Sequence, residues 1–363
     1  MTRGFLPPHD PVRSFSPRSE LSMLDEIGRD LPSLLEDKSF RTYVRGLRIP
    51  EWPEARLRPE TLPELRLYYI RLGFLASAYV NQVSQPRVEM LPRNVAVPLA
   101  KACVLLERPP IQSYDGYALY NWKRFDASGP IALGNIDTLQ DFVHLYDEHW
   151  FILVHVEIEA IGAEIVNAID RAARALDGSN RANQQMEITG AVRDIASALW
   201  RQVAVLRRIP EKMDPALYYR TFRPYIRFFE NVVYEGVTGA PMNFRGETGA
   251  QSSLMPSLIA FMKIPHQRSV LTDHLTDMRR FMPLEHRQLI AKIEALPPVR
   301  GLADPQAFNE VLEAMATFRE VHYGWAQEYV NRWVEDPRGT GGTPYMVWLR
   351  QLIDETRQYG LSA

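Results

Sequence analysis

The sequence predicts an all-α fold, and three observations support this prediction. Apolar residues recur at spacings of three and four over most of the chain, which is the period of a helix with one buried face. Segments with the two-residue alternation of a half-buried strand are nearly absent. Proline, glycine, aspartate and serine cluster between the periodic segments, where they end helices. We therefore expect helices joined by loops.

The N-terminal part of the chain predicts a small unit with an irregular start. Its opening 20 residues are rich in proline and are expected to be extended, and a short helix follows over residues 21–35. A second stretch with several prolines covers residues 49–63. We interpret these Pro-rich stretches as a loose wrap that lies outside the core.

Two further helices and a linker complete this unit. The segment ELRLYYIRLGFLASAYVNQV, directly after Pro63, predicts a long helix, and residues 97–107 predict another. Residues 107–137 combine turn-forming Pro, Gly, Asp and Ser with aromatic residues, and we interpret them as a linker region. We therefore expect residues 1–138 to form a small N-terminal domain that includes this linker.

Residues 139–363 are expected to form a larger, all-helical domain. A long helix over residues 149–176 begins apolar on all sides and becomes amphipathic later, so its first two turns should be the most deeply buried. The other predicted helices cover residues 188–208, 215–230, 252–263, 269–281, 284–296, 305–334 and 344–358.

Composition and charge narrow the classes of function. Of the 363 residues, 46% are hydrophobic and 24% are charged, and the net charge of −2 provides no basic field for nucleic acid. Cys103 is the only cysteine, which excludes an internal disulfide and a zinc site built from cysteines. The chain has no apolar leader and no run of 18 apolar residues. We expect a cytoplasmic protein with neither nucleic-acid nor membrane partners.

Motifs of common enzyme classes are absent from the sequence. It contains no Walker loop, no Gly-x-Ser-x-Gly elbow and no His-Glu-x-x-His pair. The Gly-rich piece GTGGT at residues 339–343 lacks the lysine of a phosphate loop and does not follow a predicted strand. The chemistry must therefore come from other residues.

His322 is the most informative single residue. It interrupts an apolar helical stripe and should lie in the middle of a buried face, where each ring nitrogen needs a partner. Two interpretations stay open: a core histidine that is satisfied by hydrogen bonds, and a metal ligand. Of the other histidines, His286 follows a proline near a helix start and is expected to be exposed. The stripe consists of Phe308, Val311, Leu312, Met315, Phe318, Trp325 and Tyr329.

Two Gly-containing loops are chemically unusual. Residues 234–258 form a long loop that ends in Gln251, Ser252 and Ser253 directly before an apolar helix. Its backbone and hydroxyl groups suit either a ligand or an ordinary capped loop. Residues 336–352 carry glycines ahead of a predicted helix cap, and the same two interpretations apply: a mobile lid or a plain cap.

Six separated motifs stand out along the chain: YDGYALYNWK at 114–123, VEIEA at 156–160, GETGAQSSLMPSL at 246–258, MRRFMPLEHR at 278–287, FREVHYGWAQEY at 318–329 and GTGGTPYMVWL at 339–349. In order and spacing they resemble the indoleamine 2,3-dioxygenase family. The resemblance covers most of the chain from about residue 100 onward and is weaker before that point. It implies an all-α protein with a small and a large domain that hold one non-covalent b-type haem between helices.

The resemblance also implies roles for residues on the haem side. His322 becomes the proximal ligand of the haem iron, which changes the balance between its two interpretations. Arg319, one helical turn earlier, would face a haem propionate, because a guanidinium fork suits a carboxylate. Thr248 and Gly249 would bring the 246–251 loop over the haem edge.

Other positions are implied to line the substrate pocket. Arg223 falls where the family binds the carboxylate of an amino-acid substrate, and Pro224 beside it favours a bend in the helix. Tyr218 matches an aromatic residue that packs on the indole, while Tyr114 and Tyr117 match the pocket wall. The lid over the substrate amine would contain Thr340, in the GTGGT motif.

Alignment on VEIEA places Leu153 where vertebrate members have a small hydroxyl residue and tryptophan dioxygenases have a histidine. His155 lies two residues away and should point to another side of the helix. With this register, the helix offers no polar side chain to the distal side of the haem. Tyr117 also replaces a residue that is small in many members, so the pocket wall is altered.

The resemblance implies a haem-dependent dioxygenase that inserts O₂ into the indole C2–C3 bond of L-tryptophan or a related indoleamine, giving an N-formylkynurenine-type product. Two alternatives remain, a haem-dependent monooxygenase on a modified tryptophan and a non-catalytic haem-binding protein. The implied partners are the indole substrate and an unidentified electron donor, and we expect a monomer. Because such chemistry depends on the cofactor, no acid-base residue is predicted.

Overall fold

A computed structural model describes residues 2–83, 85–333 and 346–362 and confirms the all-α prediction. The helices are α1 (Met23–Glu36), α2 (Phe40–Gly46), α3 (Leu62–Asn81), α4 (Arg93–Leu105), α5 (Tyr146–Leu176), α6 (Arg181–Leu206), α7 (Pro215–Leu217), α8 (Leu254–Met262), α9 (Val270–Met278), α10 (Leu284–Glu294), α11 (Pro305–Tyr329) and α12 (Met346–Gln358).

Short strands form two small sheets within the described residues. The strands are β1 (Met90–Leu91), β2 (Trp122–Arg124), β3 (Ile136–Thr138), β4 (Phe229–Tyr234) and β5 (Met242–Phe244). In the first sheet, β4 pairs in parallel with β1, with Met90 opposite Val233, and antiparallel with β5. In the second, β2 and β3 form an antiparallel pair with Trp122 opposite Thr138.

The N-terminal core is built around α3. Nearly every residue of this helix from Leu65 to Val80 is buried, as expected for a helix that is apolar on all sides. The Pro-rich start also belongs to this core, because Leu6 and Phe15 are buried and pack in it. The interpretation of this stretch as a loose wrap is therefore wrong.

The C-terminal part is a stack of long helices. The short connection between α5 and α6 folds the two helices back on each other, and α6 packs against α11, which in turn packs against α12. A separate apolar cluster joins the first half of α5 to the last turns of α6, the residues around Tyr218 and the second half of α11. This cluster surrounds the candidate site.

Two predicted segments fold differently from expectation. The helix predicted over residues 215–230 ends at a π-helical turn, Tyr218–Phe222, and the chain continues into β4, because Pro224 cannot donate the backbone hydrogen bond that a longer helix needs. Residues 111–122 are all buried. The aromatic residues of this segment make it part of the core, so its interpretation as a linker is wrong.

The division into domains at residue 138 stays a prediction. The N-terminal core includes side chains from the start of α5 and from the sheet around β4, so apolar packing continues across that position. Within the described parts of the chain, no helix is both long enough and apolar enough to cross a bilayer.

Candidate functional site

His322 lies on α11 where the apolar stripe stops being fully buried. Phe308 and Met315 are 0% exposed, whereas the side chain of His322 is exposed and forms no hydrogen bond with any described residue. Desolvation nevertheless lowers the pKa of His322 to about 4, with a further contribution from the charge of His155. An exposed ring whose pKa is nevertheless lowered by the surrounding protein atoms lies in a recess between structural elements, which we call the cavity. His322 is therefore a neutral imidazole with open coordination positions.

His155, on α5, faces the same cavity. Its ring stands edge-on to that of Tyr114, with 5.9 Å between the centroids, and a Cβ added to Gly249 would lie 4.0 Å from its Nε2. Nδ1 lies 2.7 Å from the carbonyl oxygen of Phe151, which can only accept, so Nδ1 donates. Burial lowers the pKa of His155 and keeps the ring neutral. Its Nε2 is thus a hydrogen-bond acceptor.

This placement corrects the expectation for α5. Leu153 is 1% exposed and packs in the N-terminal core, and the prediction that this helix offers no polar side chain to the site is wrong. Side chains two residues apart are separated by a rotation of about 200° around the helix axis. The cavity that His155 faces therefore lies on the other side of α5 from Leu153. The register that aligned Leu153 with the site is shifted by two residues.

Buried tyrosines form one wall of the site. The hydroxyl of Tyr114 donates to Glu159 at 3.0 Å, and the hydroxyl of Tyr117 donates to Glu148 at 2.9 Å. Tyr117 sits in a π-helical turn, Asp115–Leu119, and such turns are frequent at functional sites. We call Tyr114, Tyr117 and Tyr218, together with the acids Glu148, Glu159 and Glu247, the tyrosine wall.

The predicted ligand loop is fixed to this wall. Gln251 accepts a hydrogen bond from the backbone N–H of Tyr114 at 2.9 Å and donates to the carbonyl of Gly246 at 2.9 Å. The hydroxyl of Ser252 donates to Glu159 at 2.6 Å. Thr248 caps the short helical turn Gly249–Gln251. The loop is therefore held over α5 by hydrogen bonds.

Glu247 is the residue that the sequence reasoning missed. It is 3% exposed, and burial raises its pKa to about 8. The preceding Gly246 packs so closely that an added Cβ would lie 2.4 Å from the backbone of Ile226 and Arg227, which fixes the direction of the loop. An acid inside the Gly-rich motif GETGA was the available signal.

Arg223 and Tyr218 lie together beside the loop. Arg223 is 4% exposed, and its guanidinium carbon lies 5.1 Å from the ring centroid of Tyr219. Burial raises the pKa of Tyr218 to about 12 against the opposing charge of Arg223, while the charge of Glu247 adds to the rise. A cation and an acid therefore act on the same hydroxyl group.

Arg319 is buried one turn before His322. One of its terminal nitrogens donates to the carbonyl of Leu352 at 3.0 Å and also to the hydroxyl of Thr356, which ties α11 to α12. Burial lowers the pKa of Arg319 to about 10, so it remains charged at neutral pH. Thr340, the predicted lid residue, lies outside the described residues together with the rest of GTGGT.

The donor set fits a haem and does not fit a metal held by protein ligands alone. In the described ranges, no group of three His, Cys, Asp or Glu residues is placed to hold a metal ion. The imidazole of His322 is neutral and forms no hydrogen bond with the described residues, so it suits an iron whose other ligands come from a macrocycle. The buried cation of Arg319, one turn away, suits the acidic groups that such a macrocycle carries. His322 and Arg319 would hold it.

His286 differs from expectation, since it is buried rather than exposed. Its Nδ1 lies 3.2 Å from the hydroxyl of Ser253, and burial lowers its pKa to about 3. The ring contributes to packing below the start of α8. It is a structural residue that supports the end of the ligand loop.

Comparison with known proteins identifies the family of this chain. The family model of indoleamine 2,3-dioxygenase matches residues 1–334. Indoleamine 2,3-dioxygenase 1 of Mus musculus is 30% identical over 93% of this chain and 88% of its own length. The indoleamine 2,3-dioxygenase of Saccharomyces cerevisiae is 29% identical over 97% and 90%, and the 6-hydroxytryptophan 2,3-dioxygenase of Fusarium equiseti is 26% identical over 91% and 83%. The chain therefore belongs to the indoleamine 2,3-dioxygenase family of haem-dependent dioxygenases, which act on tryptophan or related indoleamines.

Proposed function

We propose that this enzyme inserts both atoms of O₂ into the indole C2–C3 bond of L-tryptophan or a related indoleamine and releases an N-formylkynurenine-type product. The observation that carries the proposal is the pairing of His322 with His155 and the tyrosine wall across one cavity. One side offers a free imidazole for the haem iron. The other offers a mainly aromatic surface for an indole.

The residues of the chain supply binding and orientation. His322 would ligate the haem iron, and Arg319 would pair with a propionate. When bound, the haem supplies the binding and activation of O₂. Arg223 binds the substrate carboxylate, and Tyr218 packs on the indole. A clamp at one end of the substrate fixes the position of the ring, which lowers the entropic cost of the reaction.

The neutral Nε2 of His155 adds a polar group to the site, which the sequence alignment on Leu153 did not predict. As an acceptor it can bind the indole N–H, which would orient the C2–C3 bond. Burial of the surrounding tyrosines keeps water away from the ring. None of these residues needs to act as a general acid or base.

A turnover assay with product masses tests the proposal. Haem-loaded protein receives ascorbate, in place of the unidentified electron donor, together with O₂ and one of L-tryptophan, 6-hydroxytryptophan or tryptamine. A product that gains two oxygen atoms supports dioxygenation. A gain of one oxygen atom would support a monooxygenase on a modified tryptophan, and haem binding without substrate consumption would overturn the proposal. A monomeric state, proposed on the same footing, is checked by size-exclusion chromatography.

A further inference from the structure

Glu247 is a buried acid that has no role in the proposed dioxygenase reaction. Its side chain is 3% exposed, and it forms no hydrogen bond or ion pair with any described residue. Buried carboxylates are normally paired, since an isolated one loses the hydration that stabilises its charge. An acid that has no partner among the described residues can accept a ligand group that carries positive charge or donates hydrogen bonds.

The surroundings of Glu247 identify which part of a ligand it meets. Burial is the main cause that raises the pKa values of Tyr114, Tyr117 and Tyr218, and the charge of Glu247 contributes to all three. Glu247 is thus close to all three tyrosines of the tyrosine wall. The charge of Arg223 also acts on the hydroxyl of Tyr218 and partly offsets the rise in its pKa.

We propose that Glu247 binds the cationic amine of the substrate, and that this contact makes the enzyme selective for indoles with an amino group over indole acids without one. The proposal rests on the proposed function, since it assigns the second half of the substrate head group. In an α-amino acid the ammonium and the carboxylate are attached to one carbon atom. Their binding groups must therefore be neighbours of opposite charge, as Arg223 and Glu247 are around Tyr218.

The proton balance agrees with this role. Because burial raises the pKa of Glu247 to about 8, the carboxyl group is mostly protonated at pH 7 when no ligand is present. Binding of an ammonium group favours the carboxylate, so the carboxyl proton passes to solvent and an ion pair forms in its place. The free protein thereby avoids an unpaired buried charge.

Calorimetric titration of the haem-loaded protein tests the proposal with three ligands. L-Tryptophan carries both charged groups, tryptamine carries only the amine, and indole-3-propionate carries only the carboxylate. The test variant is Glu247→Gln, which keeps the size and polarity of the protonated side chain. Glu247→Asp keeps the charge on a shorter side chain, and Glu187→Gln, on the exposed face of α6, is the matched control.

At pH 8 we expect Glu247→Gln to raise the Kd of L-tryptophan and tryptamine by about tenfold, because a charge-assisted hydrogen bond becomes a neutral one. The Kd of indole-3-propionate should stay within about twofold, and Glu247→Asp should recover part of the loss for the two amines. Glu187→Gln should change none of the values.

Three results would overturn the inference. Equal weakening of all three ligands would show that Glu247 only supports the loop, and unchanged affinities would show that it does not meet the amine. In both cases the wild-type protein still binds indoles, so the proposed function survives. Failure of the wild-type protein to bind any of the three ligands would reject the proposed function itself, and the role of Glu247 with it.

Discussion

The two sides of the cavity are built in opposite ways. The α11 side presents one neutral imidazole, His322, that forms no hydrogen bond with the described residues, and a single buried cation, Arg319. In most of the tyrosine wall, hydroxyls and carboxyls form hydrogen bonds with one another and with the adjoining Gln251 across distant parts of the chain. Glu247 forms none with the described residues. The difference fits the proposed roles, in which α11 would hold the cofactor and the wall would select and orient the substrate.

The way each side is held together follows from this division. A ligand for iron must keep a lone pair available, so His322 is positioned by its helix and not by hydrogen bonds. In the wall, tyrosine hydroxyls donate to the buried acids Glu148 and Glu159, since an unsatisfied acid is costly, whereas Glu247 is the acid proposed to bind the substrate. Substitutions on α11 should therefore change haem content, whereas substitutions in the wall should change substrate affinity or stability.

The largest effect is expected for His322→Ala. Loss of the imidazole removes the proposed iron ligand, so the purified variant should contain little haem, as measured by the Soret absorbance per protein. His144→Ala is the control, because that ring is exposed and its Nε2 lies 2.9 Å from the hydroxyl oxygen of Ser33, far along the chain from α11. Unchanged haem content and spectra in His322→Ala would show that His322 is not the iron ligand and that α11 does not hold the cofactor through it.

The next largest effect is expected for Arg223→Ala. Removal of the proposed carboxylate clamp should raise KM for L-tryptophan by about 10- to 100-fold, which corresponds to the loss of a charge-assisted hydrogen bond. Haem content should stay that of the wild type. Arg220→Ala, a more exposed arginine of the same turn, should leave KM unchanged. A loss of haem in Arg223→Ala would contradict the separation of the two sides.

A smaller effect concerns pH. Since the pKa of Glu247 in the free protein is raised to about 8, ionisation must accompany amine binding below that pH. The affinity for L-tryptophan should therefore rise with pH between 6 and 8, by at most about tenfold per unit, and level off above 8. Glu247→Gln should flatten this profile. A profile that is unchanged in the variant would assign the titration to another group, such as Glu159, whose pKa burial raises to about 7.

The smallest effect is expected for Ser252→Ala. This change removes the hydrogen bond from the Ser252 hydroxyl to Glu159 and should lower the free energy of unfolding by about 1 kcal/mol. Thermal unfolding measures it, with Ser179→Ala in the exposed α5–α6 connection as the control. An unfolding temperature equal to that of the control would show that this bond does not hold the ligand loop in place.

Much of the fold was predictable because helical periodicity is a local property. The helices from α8 to α11 begin within about two residues of their predicted starts, and α3 follows its apolar sequence. The prediction failed where packing overrode local signals. The aromatic segment before β2 contains turn-forming residues and is nevertheless buried, and β4 replaces the end of a predicted helix after Pro224.

The candidate site was predictable to a lesser degree. The motif around His322 pointed to this residue as the proposed iron ligand. The resemblance pointed to Arg223 and Tyr218 as residues of the substrate pocket. The side of α5 that faces the cavity was not predictable from a short alignment, because a shift of two residues exchanges Leu153 for His155. The burial of Glu247 in the Gly-rich loop was not predictable, because no apolar periodicity surrounds it in the sequence.

The sequence by itself determined the all-α class, the family and the presence of an unusual histidine on α11, since these depend on residue type and spacing along one element. Only the tertiary structure decided that the ring of His322 is desolvated and close enough to His155 to feel its charge, and that Glu247 is buried without a hydrogen bond to the described residues. The reason is physical. Desolvation and the pairing of polar groups depend on atoms brought together from distant positions, such as Tyr114 and Gln251, which are 137 residues apart.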